Sequence, residues 1–284
     1  MPDYKNLKKT LKGRKGFLFL INDSNNEIRQ HFDLSYKNNF NDSLFIKILN
    51  FKADFCRGKK IKYHFFLIPD KSVVCKDLLP FKFSQIKRNY DNISNSVPDF
   101  VTKLDHTHYF KNDSHINYEG GKELAYYYLN HLDNSFKRKD YTKLINDQIS
   151  LVDRLYVCDL TMPKNWSYSE EEKDEYLNED IISFNNKFLV DIKENLPKNF
   201  KFVMSRETEY YHNPEGFKDL RVLIFRDSST NLIRDSLSVY FKEILLYWDK
   251  WSFTPELIDW YKPDIILEIR TERFLENNFF KRIC

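Results

Sequence analysis

Short apolar runs alternate along this chain with stretches whose apolar residues recur at helical spacing. Segments 17–21, 62–68 (halted by Pro69-Asp70), 151–158, 200–204, 221–225, 243–248 and 264–269 are rich in β-branched and aromatic residues and read as strands. Between them, 43–56 has an amphipathic helical pattern opened by Asn41, Asp42 and Ser43, and 118–132 has one entered through Asn117. A charged stretch around 169–194, together with 232–241 and 255–261, completes the predicted helices. The β-α-β-α rhythm predicts an α/β fold with a mostly parallel sheet covered by helices, in which ligands gather at the carboxyl ends of the strands. One domain spanning 1–284 is expected, with 133–200 its least regular part and a candidate insertion.

Composition narrows the class. A chain of 284 residues can bury a sizeable core. Its 45 basic and 42 acidic residues nearly balance, which argues against a nucleic-acid partner. Only the start is dominated by cations (Lys5, Lys8, Lys9, Lys12, Arg14, Lys15), and it fits a solvated terminus or contact with an anionic surface. The apolar run that follows is five residues long. A signal peptide needs about 7–15 and a membrane span about 20. A cytoplasmic protein is expected, at most peripheral to the inner membrane. Cys56, Cys75, Cys158 and Cys284 stand far apart and read as free thiols in a reducing compartment.

The candidate chemistry begins at Asp113-Ser114-His115, just ahead of the helix entered through Asn117. A carboxylate two residues before a histidine can supply the base half of a Ser-His-Asp machine, the acid orienting the imidazole and the imidazole taking a hydroxyl proton. An isolated pair also fits a capping Asp and a surface His. Asp-Ser occurs five times, at 23–24, 42–43, 113–114, 227–228 and 235–236. The pairs at 42 and 235 suit helix caps or helix surfaces. Only those at 23 and 227 directly follow a strand, and Ser228 has the stronger frame, Arg221-Val222-Leu223-Ile224-Phe225 followed by a turn and a helix. Ser228 is the predicted nucleophile, with a backbone N–H at the helix start facing the oxyanion; Ser24 is its rival. Asp105, His106 and His108 crowd beside Asp113 and His115, so a metal site is the alternative reading, but no distant partner has a metal-binding signature and no metal is expected. Glu268, Arg270, Glu272 and Arg273 are read as charge pairs flanking the last strand, and the tryptophans as core residues, with stacking on sugar rings the alternative.

These blocks together carry a resemblance. Val222-Leu223-Ile224-Phe225-Arg226-Asp227-Ser228 resembles the Gly-Asp-Ser block of the SGNH hydrolases, and an Asp-x-His element preceding the serine block is similar to the alginate O-acetyltransferase (AlgX/AlgJ-like) branch. Gly16-Phe17-Leu18-Phe19-Leu20 with Asp23, Asn26 and Gln30, Phe66-Leu67-Ile68-Pro69-Asp70-Lys71, and Pro263-Asp264-Ile265-Ile266 with Glu272-Arg273-Phe274-Leu275 resemble other blocks of that branch in the same order. The resemblance implies a flavodoxin-like, SGNH-type three-layer domain with a Ser228–His115–Asp113 triad and an acyl-serine intermediate. It implies O-acetylation of a surface or capsular polysaccharide or its saccharide precursor, or acetyl-ester hydrolysis if water is the acceptor. No cofactor is bound under this reading; a cytoplasmic location suggests acetyl-CoA as donor, a carbohydrate as acceptor, and a membrane-associated polysaccharide assembly as the setting. Asn22, Asp23, Lys71, Arg226 and Ser229 are its candidate substrate or oxyanion contacts. Two positions depart from the pattern. Arg226 replaces the family glycine, which normally permits close backbone approach, and Ile116 replaces the aromatic residue after Asp-x-His. Arg226 either points into the pocket, toward an anionic donor or acceptor, or outward. A decayed site would leave a non-catalytic carbohydrate-binding or scaffold protein.

Overall fold

A computed structural model describes residues 4, 6–176, 178–196, 208–248 and 253–276. Its centre is a six-stranded sheet in the order β3-β10-β8-β9-β7-β6. These strands are β3 (Lys62–Ile68), β6 (Val190–Asp191), β7 (Glu209–His212), β8 (Lys218–Arg226), β9 (Phe241–Tyr247) and β10 (Ile265–Thr271). The first four in spatial order are parallel, and β7 and β6 close one edge antiparallel. Val222 and Ile224 of β8 face one side of the sheet, Leu223 and Phe225 the other, and all four are buried. That two-sided burial is why β8 reads as a continuous apolar run.

Helices cover both faces. On one side lie α4 (Tyr118–Leu132) and α7 (Arg234–Ser238), which share a core with Val222, Ile224, Ile265 and Leu267. On the other, α2 (Asp42–Gly58) packs Phe45, Ile48 and Leu49 against Phe65 and Leu67, and α8 (Pro255–Tyr261) packs Leu257 and Ile258 against Leu223, Phe225 and Ile266. The expected helix–sheet–helix layering is thus present. The remaining helices are α1 (Glu27–Phe32), α3 (Lys71–Val74), α5 (Arg138–Gln148) and α6 (Glu170–Lys173).

Several predicted elements differ. The strand at 17–21 is β2 (Leu18–Leu20), which leaves the main sheet to pair with β1 (Thr10–Lys12) in an antiparallel ribbon. The charged stretch at 169–194 is not a helix. After the four-residue α6 it forms β5 (Asn178–Asn186), a hairpin partner of β4 (Ile149–Val157), and then β6. Periodicity misled there because β5 is mostly polar, with Ile181, Ile182 and Phe184 its apolar residues and no strict alternation to mark it as a strand. The helix at 232–241 shrinks to α7, since β9 already begins at Phe241. Asp235 and Ser236 on it are buried, not surface residues: Asp235 accepts from the N–H of Asn186 at 3.1 Å. The strand expected at 200–204 lies outside the described residues.

Candidate active site

Three parallel strands deliver the site to one edge. β3, β10 and β8 all end there, giving Pro69-Asp70, Glu272-Arg273 and Asp227-Ser228 in turn. At the end of β8 the chain enters a 3-10 turn, Ser228–Leu232. Asp227 holds that turn in place: its carboxylate accepts from the N–H of Ser229 at 3.0 Å and from the N–H of Thr271, at the end of β10, at 2.7 Å. The serine is therefore fixed by the neighbouring strand as well as by its own turn.

His115 comes from a loop closed by its own backbone. Tyr109 and Ile116 form an isolated antiparallel bridge, and Asn117 caps α4 by accepting from the N–H of Gly120 at 2.9 Å. The start of α4 then packs directly on the exit of the serine turn. Gly121 lies so near that a Cβ there would overlap the carbonyl of Leu232, so the glycine sets how closely the two halves of the site approach.

The two halves meet. His115 Nδ1 lies 2.7 Å from Asp113 Oδ1, and His115 Nε2 lies 3.1 Å from Ser228 Oγ. A proton on Nδ1 donated to Asp113 leaves Nε2 to accept from the serine hydroxyl. Asp113 is buried, which alone would raise its pKa, but the hydrogen bond and charge of His115, with backbone N–H donors, hold it at about 2. Burial works against protonation of His115; the hydrogen bond and charge of Asp113, joined by Asp159, outweigh it and raise its pKa.

Segment 133–200, to which no role could be given from sequence, supports this loop directly. Glu179 of β5 accepts from the N–H groups of Lys111 and Asn112 at 2.9 and 3.0 Å, and Tyr156 of β4 stacks on Phe110. Asp159, just past β4, donates its N–H to Asp113 Oδ2 at 2.6 Å and accepts from the N–H and O–H of Ser114 at 2.8 and 2.6 Å. An acid directly after a predicted strand was the available signal for Asp159, but nothing in the chain told that this strand folds beside His115.

The other candidates occupy different places. Lys71 is neither a solvated turn residue nor a substrate contact. It is buried, and its ammonium donates to the carbonyls of Leu18 (2.6 Å), Lys111 (3.0 Å) and Asp113 (2.9 Å), clamping the histidine loop to β2. Arg226 points neither into a pocket nor to solvent: it is buried, paired with Glu209, donating to Asn231 at 2.7 Å and lying beside the Trp248 ring. Burial lowers its pKa, with Glu209 opposing. Ser229 is no oxyanion donor, because its N–H is held by Asp227 and its hydroxyl lies 2.8 Å from that of Thr271. Asn22 is exposed and donates to the carbonyls of Tyr4 and Leu7, and Asp23 accepts from the N–H groups of Asn25 and Glu27 at the start of α1. Ser24 is exposed in the same turn.

The metal reading finds no frame in the 105–108 segment. His106 to His108 form a 3-10 turn capped by Asp105, and His108 Nδ1 accepts from the N–H of Asp105 at 3.0 Å. Asp113, His115 and Asp159 do converge, with Asp113 Oδ1 and His115 Nδ1 already hydrogen-bond partners. Cys56, Cys75 and Cys158 are buried free thiols; Cys284 lies outside the described residues. Glu268, Arg270, Glu272 and Arg273 form buried pairs as expected, though the first two sit within β10. Lys52 and Arg270 neutralise Glu268 on one side of the sheet, while Arg88 binds Glu272, and Arg273 binds Glu27 and Asp70.

The fold defined by this sheet and edge is shared with several solved structures. Bacillus cereus PatB1, seen with a sulfonyl adduct, superposes with a TM-score of 0.63 at 13% identity, over 97% of this chain and 100% of that one. The O-acetyltransferase domain of Pseudomonas putida AlgJ gives 0.53 at 12% identity, over 94% and 92%. Pseudomonas aeruginosa AlgX gives 0.52 at 11%, over 95% of this chain and 66% of that one. No protein-family model and no curated protein matches the sequence. The chain thus has an AlgX/AlgJ-like fold, mixed α/β with a mostly parallel central sheet. Among the described residues no helix is long and apolar enough to cross a membrane.

Proposed function

We propose that this protein is an O-acetyltransferase that moves an acetyl group onto a hydroxyl of a polysaccharide or its saccharide precursor by way of an acetyl-Ser228. The observation that carries the reading is the continuous chain Ser228 Oγ–His115 Nε2 and Nδ1–Asp113; the fold shared with the AlgJ O-acetyltransferase domain supports it. His115 takes the Ser228 proton as Oγ attacks the donor carbonyl, and Asp113 stabilises the imidazolium. The imidazolium protonates the leaving group, and acetyl-Ser228 remains. A sugar hydroxyl then gives its proton to His115 and takes the acetyl group, and the proton returns to Ser228. Acetyl-CoA is the proposed donor. The His115 side chain is 18% exposed, so water can reach it, which favours acetyl-ester hydrolysis as the second reading.

Mass spectrometry of the protein treated with an acetyl ester or a sulfonyl fluoride should place the label on Ser228. Ser228→Ala should abolish labelling and lower ester turnover by at least about 10³-fold. A label on Ser24, or turnover unchanged in Ser228→Ala, overturns the assignment. A saccharide acceptor that accelerates loss of the acetyl group and becomes acetylated separates transferase from esterase.

A further inference from the structure

The imidazole of His115 faces two acids. Besides Asp113, the Oδ2 of Asp159 lies 3.7 Å from Nδ1. Asp159 is also bound reciprocally to the loop that carries the histidine, giving its own N–H to Asp113 and accepting both the N–H and the O–H of the intervening Ser114. Its carbonyl is in turn held by the side-chain amide of Asn165 at 2.7 Å.

We propose that Asp159 is a positioning residue and second acid of the site, which locks the Asp113–Ser114–His115 loop from outside and sets the pH at which His115 becomes a free base. The inference rests on the reading of Ser228 and His115 as catalytic. Two carboxylates on the Nδ1 side stabilise the imidazolium that forms at each half of the transfer, where His115 holds the proton between Ser228 and the leaving group or acceptor. The same charge keeps His115 protonated, and idle as a base, to higher pH. The groups facing His115 are Asp113 on its own loop, Asp159 past β4, the hydroxyl of Ser228 at Nε2, and Arg273 past β10, whose opposing charge is shared with Glu27 and Asp70. The raised pKa of His115 agrees with this arrangement.

Asp159→Asn removes the charge and leaves the backbone N–H to Asp113 in place. The ascending limb of kcat/KM against pH, read with 4-nitrophenyl acetate, should move down by about one pH unit, with a lower plateau. Asp159→Glu restores the charge and should return the limb toward the wild-type position. NMR titration of the His115 ring in the full chain gives a readout that needs no turnover. The wild-type midpoint should lie above the ordinary histidine value of about 6.5, and it should fall in Asp159→Asn. A wild-type midpoint at or below that value, or one unmoved by Asp159→Asn, overturns the role of Asp159 whether or not the ester is cleaved. Failure of the catalytic reading shows separately, as turnover that persists in Ser228→Ala.

Discussion

Replacing Lys71 by methionine tests whether the histidine loop is held from beneath. Methionine fills most of the same space but brings no donor, so the carbonyls of Leu18, Lys111 and Asp113 lose contacts of 2.6, 3.0 and 2.9 Å. A buried acceptor left without a partner costs about 1–3 kcal/mol. Against that, the wild type bears the cost of burying an ammonium, visible as a pKa pushed below the usual lysine value by burial, and the variant escapes it. Taking the low end for each of the three carbonyls and allowing for this offset leaves a loss of roughly 2–3 kcal/mol. At about 2 °C per kcal/mol that is a fall in Tm of about 4–6 °C by scanning calorimetry. Turnover should suffer more than stability, because Asp113 is one of the released carbonyls and a shift of about 1 Å in a catalytic group can cost about 10²-fold. The rate is to be measured well below both melting temperatures. A variant that melts with the wild type and keeps its kcat would refute the clamp and leave the histidine loop held by Asp159 and Glu179 without it.

Gly121→Ala should push α4 off the Leu232 carbonyl and widen the gap between His115 and Ser228; overpacking of this kind costs about 1–3 kcal/mol, and ester turnover should drop further than the melting temperature suggests. Stability should also depend on pH through His31. Burial disfavours its cation, but the hydrogen bond to Asp70 and the charges of Glu272, Asp70 and Glu27 raise its pKa to about 9. A raised folded pKa means a contribution fully present below the unfolded value of about 6.5 and lost as pH rises through about 9, worth about 3 kcal/mol. Melting curves should therefore fall across that window in the wild type, and His31→Gln should be less stable at pH 6 but flatter. Arg226→Gly should lower stability by about 2 kcal/mol because it removes one of the two cations that pair with Glu209 among the described residues. A raised KM with unchanged melting would instead make Arg226 a substrate contact.

What the chain revealed in advance was governed by locality. The edges of β3, α4 and α8 were legible to the residue, since each is a short patterned run bounded at one end by a strong signal: Pro69 after β3, Asn117 before α4 and Pro255 at the start of α8. Asp113, His115 and Ser228 were legible because short motifs sit at strand and helix ends. The supporting groups were not, because their roles depend on long-range contacts. Lys71 looks like any lysine after Pro-Asp until β2 and the histidine loop fold over it, and Arg226 looks like a misplaced cation until Glu209 of β7 arrives beside it. β5, the partner of the predicted strand at 151–158, was missed for a related reason, as a mostly polar, half-exposed strand has no apolar run to announce it.

The central position of β10 has a consequence for synthesis. Ile265 lies opposite both Lys62 and Val222, and the strand that joins β3 to β8 follows both of them in the chain, so it leaves the ribosome after them. Until it does, the nascent chain carries two unpaired parallel edges, the kind of surface that invites aggregation and calls for chaperone protection. Asp227 has no Thr271 N–H to accept from during that time, so the serine turn lacks its anchor across the sheet. On the proposed reading of Ser228 as the nucleophile, its turn is completed only when the sheet closes.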